Sequence, residues 1–545
     1  MVKYSFIVKK ILYNGLLIPV LYGICMTIVA DKHYGFVEFD GAMHYFAGED
    51  IFRGNGYRGW GSHFWPPLFP LLSGILGRWL DGATAARMIS VLSASFLLWI
   101  AHRFVYKLSQ NHVVACLAQL LIATNFMFVL LSIKAENHML DTLFYVLAIF
   151  LLLQSLEKDS TARFFITGLV CGLAGLSRYT SYSLVPAFAC TVFCFYPSRL
   201  AFRYALVILA GFILVSSPWW AVNYLDNGSP LSTWQYMNVG AGVYSGAGSR
   251  WWWYWSGIDH VQSIGDIIAQ RPGDYLLNFS RNVVKSILYI VAKSQLTGII
   301  CIASLFLLMY RGYRSRGVLL WRDRLFLPVL VALAVYILLV SQAFVFGEVF
   351  LSWIVLVMIY GVYAIYRLRP ATGFFRKNYR PVMLSVIVLV VVVDVCYTNW
   401  SLNNYMTDAA GIEENGQIAA AIKAQEGNLE HKVVMTLHPA RAYYLRSRYV
   451  MLPPYYEGDL NGLITYQGMS FKVRDHAPRF PSTLNVNDLK VDYLIYDRWA
   501  ATCLPQFSFL LHKNSNRIPA SFQLVYLSQA VAVYKINGQY VHQQH

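Results

Sequence analysis

Apolar residues run along this chain in long blocks up to about residue 403, and beyond it in short segments interleaved with polar ones. A helix that crosses a bilayer needs ~20 predominantly apolar residues. Blocks near 11–30, 83–106, 112–132, 138–156, 162–177, 180–196, 204–222, 294–310, 325–345, 348–366 and 381–400 approach or meet that need, which predicts eleven spans. The first block follows Lys3, Lys9 and Lys10, as in a signal peptide. Its apolar run is too long for one, however, and Ile28 spoils the small-residue cleavage pattern before Ala30, so it is an uncleaved anchor. Stretches 66–80 and 278–292 are apolar but too short to span, and are expected to lie along the membrane interface. In the tail, runs 433–436, 449–452, 493–496, 524–527 and 531–536 predict strands, with helical patterns at 418–425 and 440–445 between them. That alternation predicts a small α/β domain.

Composition narrows the class. Of the 545 residues 57% are hydrophobic, 16% aromatic and only 13% charged, against about 25% charged in soluble domains. Disordered chains are polar and charged, so disorder is excluded. A soluble multidomain enzyme is excluded too, because cores stop growing near ~250–300 residues and cannot absorb this much apolar surface. Seven of the eight cysteines lie in apolar stretches and none forms a C-x-x-C pair, so they act as small hydrophobes rather than as disulfides or metal ligands.

The net charge of +16 would suggest nucleic acid if it lay on a folded polar domain. Instead it segregates by loop. With the N-terminus cytoplasmic, the inner loops hold Arg103 and Lys107, Lys158 and Arg163, Arg199 and Arg203, then Arg311, Arg314, Arg316, Arg322 and Arg324, and finally Arg367, Arg369, Arg376, Lys377 and Arg380. The first outer loop is acidic or mixed, with Asp31, Glu38, Asp40, Glu49 and Asp50 beside Lys32, Arg53 and Arg58. This is positive-inside sorting, and no nucleic-acid partner is needed to explain it. The expectation is a polytopic all-α membrane domain over 1–403, with outer loops 31–82 and 223–293, and an extracytoplasmic α/β domain over 404–545.

Ionisable residues crowd toward the outer face. Glu38-Phe-Asp40-Gly-Ala-Met-His44-Tyr45 follows the first span directly. Asp40 suits a helix N-cap, with the helix ending at Gly54-Asn-Gly56. The functional alternative is a general base tuned at the mouth of a membrane cavity. Glu38 and Asp40 together make only a weak divalent-metal signal, and no cofactor is expected. A second acidic set is Lys134-Ala-Glu136-Asn137-His138-Met-Leu-Asp141 at the start of the fourth span. Asn137 and Asp141 fall on one helix face, and Asp141 already heads apolar sequence, where an ionisable group is a functional candidate by default. Arg178-Tyr179 divides two apolar halves, either as a snorkelling arginine or as a bidentate phosphate ligand. Lys285 and Lys293 are candidates for the same anion. The Trp251-Trp252-Trp253-Tyr254-Trp255 run suits an interfacial aromatic belt, with sugar stacking as the sharper alternative. There is no P-loop, G-x-G-x-x-G after a strand, G-x-S-x-G or H-E-x-x-H, so nucleotide-driven transport and the common hydrolase classes lose support.

Together these motifs resemble a known family. The run from Asp40 to Tyr57, followed by Pro66-Pro-Leu-Phe-Pro70, is similar to the first outer loop of the GT-C membrane glycosyltransferases, in particular family 39. That family includes protein O-mannosyltransferases, lipid A aminoarabinose transferases and Rgt-like enzymes. Gly172-Leu-Ala-Gly-Leu-Ser-Arg-Tyr179, Pro218-Trp-Trp-Ala-Val-Asn-Tyr-Leu-Asp-Asn-Gly-Ser-Pro230, His438-Pro-Ala-Arg-Ala-Tyr-Tyr-Leu445 and Asp492-Tyr-Leu-Ile-Tyr496 also resemble family patterns, in the family's order. The resemblance implies an inverting transfer of sugar from a polyprenyl-phosphate carrier to a lipid, glycan or protein hydroxyl, in a bacterial inner membrane. Asp40 would deprotonate the acceptor. The second-loop acid maps to Asp141, with Glu136 as rival. Arg178, Tyr179, Lys285, Lys293, His44 and Tyr45 would contact substrate or carrier phosphate. The family often has a second acid after the first-loop aspartate, where this chain has Gly41. A lipid-linked-glycan flippase or exporter, and a glycan polymerase or ligase, are the alternative functions.

Overall fold

The computed structural model describes residues 15–33, 39–52, 65–227, 229–231, 235–244, 263–316, 325–343, 345–368, 374–407, 411–427, 429, 432–452, 491–513 and 515–537. They fall into two compact units. One gathers Met1–Gly35, Trp65–Ser232 and Leu276–Thr407; the other gathers Phe36–Phe64, Thr233–Tyr275 and Asp408–His545.

The first unit is helical, and every predicted apolar block carries helix. Four helices among the described residues are long and apolar enough to cross a membrane: Gly82–Ser109, His138–Lys158, Ser198–Leu225 and Gly347–Arg367. Their ends follow local chemistry. The Asp81 carboxylate accepts from the Thr84 N–H at the start of the first. Gln110 and Asp159, at φ 52° and 47°, end the first two in the left-handed region, which lets the cap N–H reach back to a helix carbonyl. Shorter apolar helices cover Leu17–Ala30, Thr161–Ser177, Tyr179–Phe195 and Leu327–Val340. In a bilayer, helices associate through close packing at small residues. Gly168 shows this: a Cβ there would stand 2.1 Å from the Ile208 carbonyl oxygen of the neighbouring helix. The deepest packing is aromatic. Tyr145, Tyr336 and Trp353 are fully buried and meet at ring-centroid separations of 5.6, 5.6 and 5.8 Å, within the favoured range for such pairs.

Two predicted stretches are bent. The block expected as one span over 112–132 breaks by 68° between His112–Ala123 and Phe126–Ile133. Asn125 causes the break by capping a new helix, its side-chain oxygen accepting from the Phe128 N–H at 3.2 Å. The stretch expected at the interface over 278–292 is the Pro272–Lys293 helix, which turns by 114° into Gln295–Arg311. One polar knot holds both bends. Gln295 Oε1 accepts from the Asn125 side-chain amide and from the Phe126 N–H, each at 3.0 Å, and the Thr398 hydroxyl donates to the Thr124 carbonyl at 2.8 Å. Asp394 accepts from the Thr297 hydroxyl beside this knot. The short apolar stretch over 66–80 is the Leu68–Leu76 helix, which buries Phe69 against Ala86, Ile89, Ala135 and Leu140.

The second unit contains a five-stranded sheet of order β2-β1-β3-β5-β4. The strands are β1 Val433–Thr436, β2 Arg448–Met451, β3 Tyr493–Asp497, β4 Phe522–Leu527 and β5 Val531–Ile536, close to the predicted runs. β1 pairs in parallel with β2 and β3, while β5 runs antiparallel to β3 and β4. β1 and β3 are buried at every position, as expected of strands covered on both faces. The Phe39–Phe52 helix belongs to this unit, and Phe46 packs onto its core.

Candidate active site

Three helix junctions of the first unit converge on one polar cluster. Lys134–Asn137 joins Phe126–Ile133 to His138–Lys158, Arg178 ends Thr161–Ser177 in extended backbone, and Glu348 sits in the short Gly347–Phe350 3-10 turn. Backbone that leaves helix geometry inside a membrane protein must be lined by polar partners, and these junctions supply them to one another. Lys134 Nζ lies 3.7 Å from Glu136 Oε1 and 3.3 Å from Glu348 Oε1. His138 Nε2 lies 3.5 Å from Glu136 Oε2 and 3.6 Å from Glu348 Oε2. Lys134, Glu136, His138 and Asp141 are all buried, while the Glu348 side chain is 34% exposed and opens the cluster outward.

Arg178 reaches His138. Its Nη1 approaches His138 Nδ1 at 2.6 Å and Nε2 at 3.4 Å. A guanidinium only donates hydrogen bonds, so the imidazole edge facing it is the accepting one. The sequence pairing of Asn137 with Asp141 is realised by the junction at Ser177–Ser181. The Asn137 amide donates to the Ser177 carbonyl at 2.9 Å, and the Ser181 hydroxyl donates to Asp141 Oδ1 at 2.5 Å. Arg178 is near enough to act on Asp141 by its charge. Glu136, Asp141 and Arg178, singled out from sequence, are thus brought together.

The same cluster contains a metal-ligating geometry. Among the described residues, one group of three, Glu136, His138 and Glu348, offers ligand atoms all within 4.8 Å of one another. Carboxylate and imidazole would suit a divalent transition metal. However, the Lys134 ammonium already lies against both carboxylates, 3.7 Å from Glu136 and 3.3 Å from Glu348. The donor set therefore fits a lysine-neutralised network better than a metal centre.

The other expected ligands are dispersed. Tyr179 is buried and its hydroxyl accepts from Trp219 Nε1 at 2.9 Å. Lys293 runs its stem over Gly347, where a Cβ would meet Lys293 Cε at 2.9 Å, so it borders the Glu348 turn. Lys285 is exposed on the Pro272–Lys293 helix, whose buried stripe is Asn282, Ser286 and Ile290.

The remaining candidates lie in the second unit. Asp40 is half-buried in the first turn of Phe39–Phe52, one residue inside the helix rather than at the expected N-cap. A carboxylate there still faces the free N–H groups and positive pole of the helix. His44 is buried, and Tyr45 donates to Glu49 at 2.7 Å while its ring packs on Tyr443. The helix is described as far as Phe52, and the expected end at Gly54-Asn-Gly56 lies outside the described residues. Glu38 and the Trp251–Trp255 run lie outside the described residues.

Sequence reasoning missed Lys134, His138 and Glu348 as site members. The first two stand in the motif that supplied Glu136, and Glu348 is the sole acid between Leu325 and Arg367. An isolated carboxylate in apolar sequence is the signal that would have found it.

Comparisons with known proteins agree with this architecture. Residues 66–221 match the family model described as dolichyl-phosphate-mannose-protein mannosyltransferase. No curated protein sequence matches. Among solved structures, ArnT from Cupriavidus metallidurans bound to undecaprenyl phosphate is similar at a TM-score of 0.60 and 13% identity, over 95% of this chain and 97% of that one. The same protein in the apo state gives 0.58 and 12%, over 98% of each. The oligosaccharyltransferase of Archaeoglobus fulgidus, tethered to an acceptor peptide, gives 0.52 and 13%, over 89% of this chain and 69% of that one. The chain has the GT-C fold and is an integral, multi-pass membrane protein.

Proposed function

We propose that this protein is a membrane glycosyltransferase that moves a sugar from a polyprenyl-phosphate carrier to an acceptor hydroxyl at the outer face. The observation that carries this reading is the buried junction cluster, in which Arg178, Lys134, His138 and three carboxylates are collected where helices break. In an apolar setting such a collection is costly unless it serves a charged substrate. In the proposed reaction the bond between the sugar's anomeric carbon and the carrier phosphate oxygen breaks. The acceptor oxygen forms the new bond from the opposite face, and its proton passes to Asp40. Arg178 neutralises the departing phosphate, for which its planar fork is suited. Asp141, held by Ser181, orients the arginine or the acceptor.

Purified protein given a polyprenyl-phosphate sugar and a hydroxyl acceptor is expected to release free polyprenyl phosphate in step with product, and to continue in excess chelator. Movement of intact carrier across the bilayer without release would make it a flippase. Chelator-sensitive release would instead make Glu136, His138 and Glu348 a metal site.

Arg178→Lys keeps the charge but loses the fork, and Arg178→Ala loses both. Weaker donor binding is expected in both variants, and more so in alanine, with folding largely kept. Donor affinity unchanged in Arg178→Ala would leave the residue a structural partner of His138.

The proposed topology has eleven spans, an N-terminus in the cytoplasm and residues 404–545 outside, in a bacterial inner membrane. Reporter fusions at residue 410 and within 311–324 should report opposite compartments. Agreement between them would remove the outer-face assignment.

A further inference from the structure

We infer that Trp499 and His438, at the carboxyl edge of the sheet, are positioning residues for Asp40; the inference rests on the reading of Asp40 as the general base. Phe39 immediately precedes Asp40, and its ring closes a cluster of three. Its centroid lies 5.5 Å from that of His438 and 5.5 Å from that of Trp499, and His438 and Trp499 are 5.6 Å apart. Phe39 meets both partners edge to face, at 87° and 65°, the arrangement that aromatic quadrupoles favour, and His438 and Trp499 are tilted at 59°.

The two partners come from equivalent places. His438 follows β1 and Trp499 follows β3, which are adjacent parallel strands. Both rings therefore rise from the carboxyl ends of neighbouring strands, where open α/β sheets build their sites. That edge is itself braced. Asp497 caps the Arg498–Cys503 helix through the Ala500 N–H at 2.8 Å and accepts from Arg441 Nε at 3.0 Å. Arg441 also donates to Asn415 at 3.2 Å, so the backbone on either side of the ring cluster is tied together.

Seven residues along, two helical turns from Phe39, Phe46 stacks on Tyr449 at 5.2 Å, and Tyr45 meets Tyr443 at 5.1 Å. The Phe39–Phe52 helix is thus held at its first residue and again near its middle. A 14-residue helix is marginal by itself in water, so its direction is set by this clamp. A general base must be held within about 0.5 Å of its working position, and the ring of the residue next to Asp40 is fixed by this cluster.

The test uses full-length protein with the polyprenyl-phosphate sugar as donor. Trp499→Leu is expected to lower kcat by up to about 10²-fold, the scale of a misplaced reacting group, with the donor KM unchanged. Trp499→Phe should restore most of the rate. In an Asp40→Asn background, adding Trp499→Leu should cause no further loss of the residual rate, because the tryptophan acts only through the carboxylate. Phe39→Leu, which removes the other ring of the contact, carries the same three expectations if Trp499→Leu does not fold. Wild-type turnover in Trp499→Leu, a raised donor KM, or losses that multiply in the double variant would overturn the inference. Wild-type turnover in Asp40→Asn alone would instead overturn the assignment of the base.

Discussion

Asp40→Asn is expected to cut turnover by about 10²–10⁴-fold, the range for loss of a general base, while expression and thermal stability stay near wild type. The side chains are nearly isosteric, and asparagine in the first helical turn still offers an oxygen to the free N–H groups. The ring clamp through Phe39, Tyr45 and Phe46 does not involve the carboxylate. A purely structural role predicts the opposite pattern, with Asp40→Asn active and Asp40→Ala unstable. Asp141→Asn should be impaired to a smaller degree, since it keeps an oxygen for the Ser181 hydroxyl but loses the charge beside Arg178, without losing the base. Steady-state rates together with melting curves for the three variants separate the two roles. An Asp40→Asn enzyme that turns over normally would pass the role of base to Glu38.

Lys134→Met is expected to destabilise the first unit by about 3–5 kcal/mol, the cost of breaking a buried ion pair from one side. Lys134 and Glu136 side chains are only 4% and 6% exposed, so neither charge is relieved by water. Glu348, at 34%, recovers part of its hydration and contributes less. The double variant Lys134→Met/Glu136→Gln removes both buried charges and should regain most of the loss. Glu348→Gln should cost much less than Glu136→Gln for the same reason. Thermal inactivation in detergent and in lipid measures all four. Equal stability of Lys134→Met and wild type would mean that the ammonium reaches water and does not neutralise the cluster.

Much of the architecture was legible before folding. Apolar block length, basic loops and the change of pattern near residue 403 are local quantities, and a helix in lipid must satisfy its own backbone. For that reason each predicted block carries helix, and the five tail strands fall within a residue or two of their runs. Asp40, Glu136, Asp141 and Arg178 were visible as ionisable residues at the edges of apolar sequence. The bend at Thr124-Asn125 has a local signal too, a polar pair with capping chemistry inside an apolar block.

Partnership was beyond the sequence. Nothing local joins Lys134 to Glu348 across 214 positions, Asn125 to Gln295 across 170, or Phe39 to His438 and Trp499. Hydropathy places each residue at a depth or in a loop, but it carries no information about which loop lies opposite. The chain alone therefore determined that these charges would stand at membrane borders, because the cost of burying them is paid residue by residue. Only the tertiary structure decided which charge answers which, that Arg178 reaches His138, and that the Asp40 helix is gripped by a sheet more than 390 positions away.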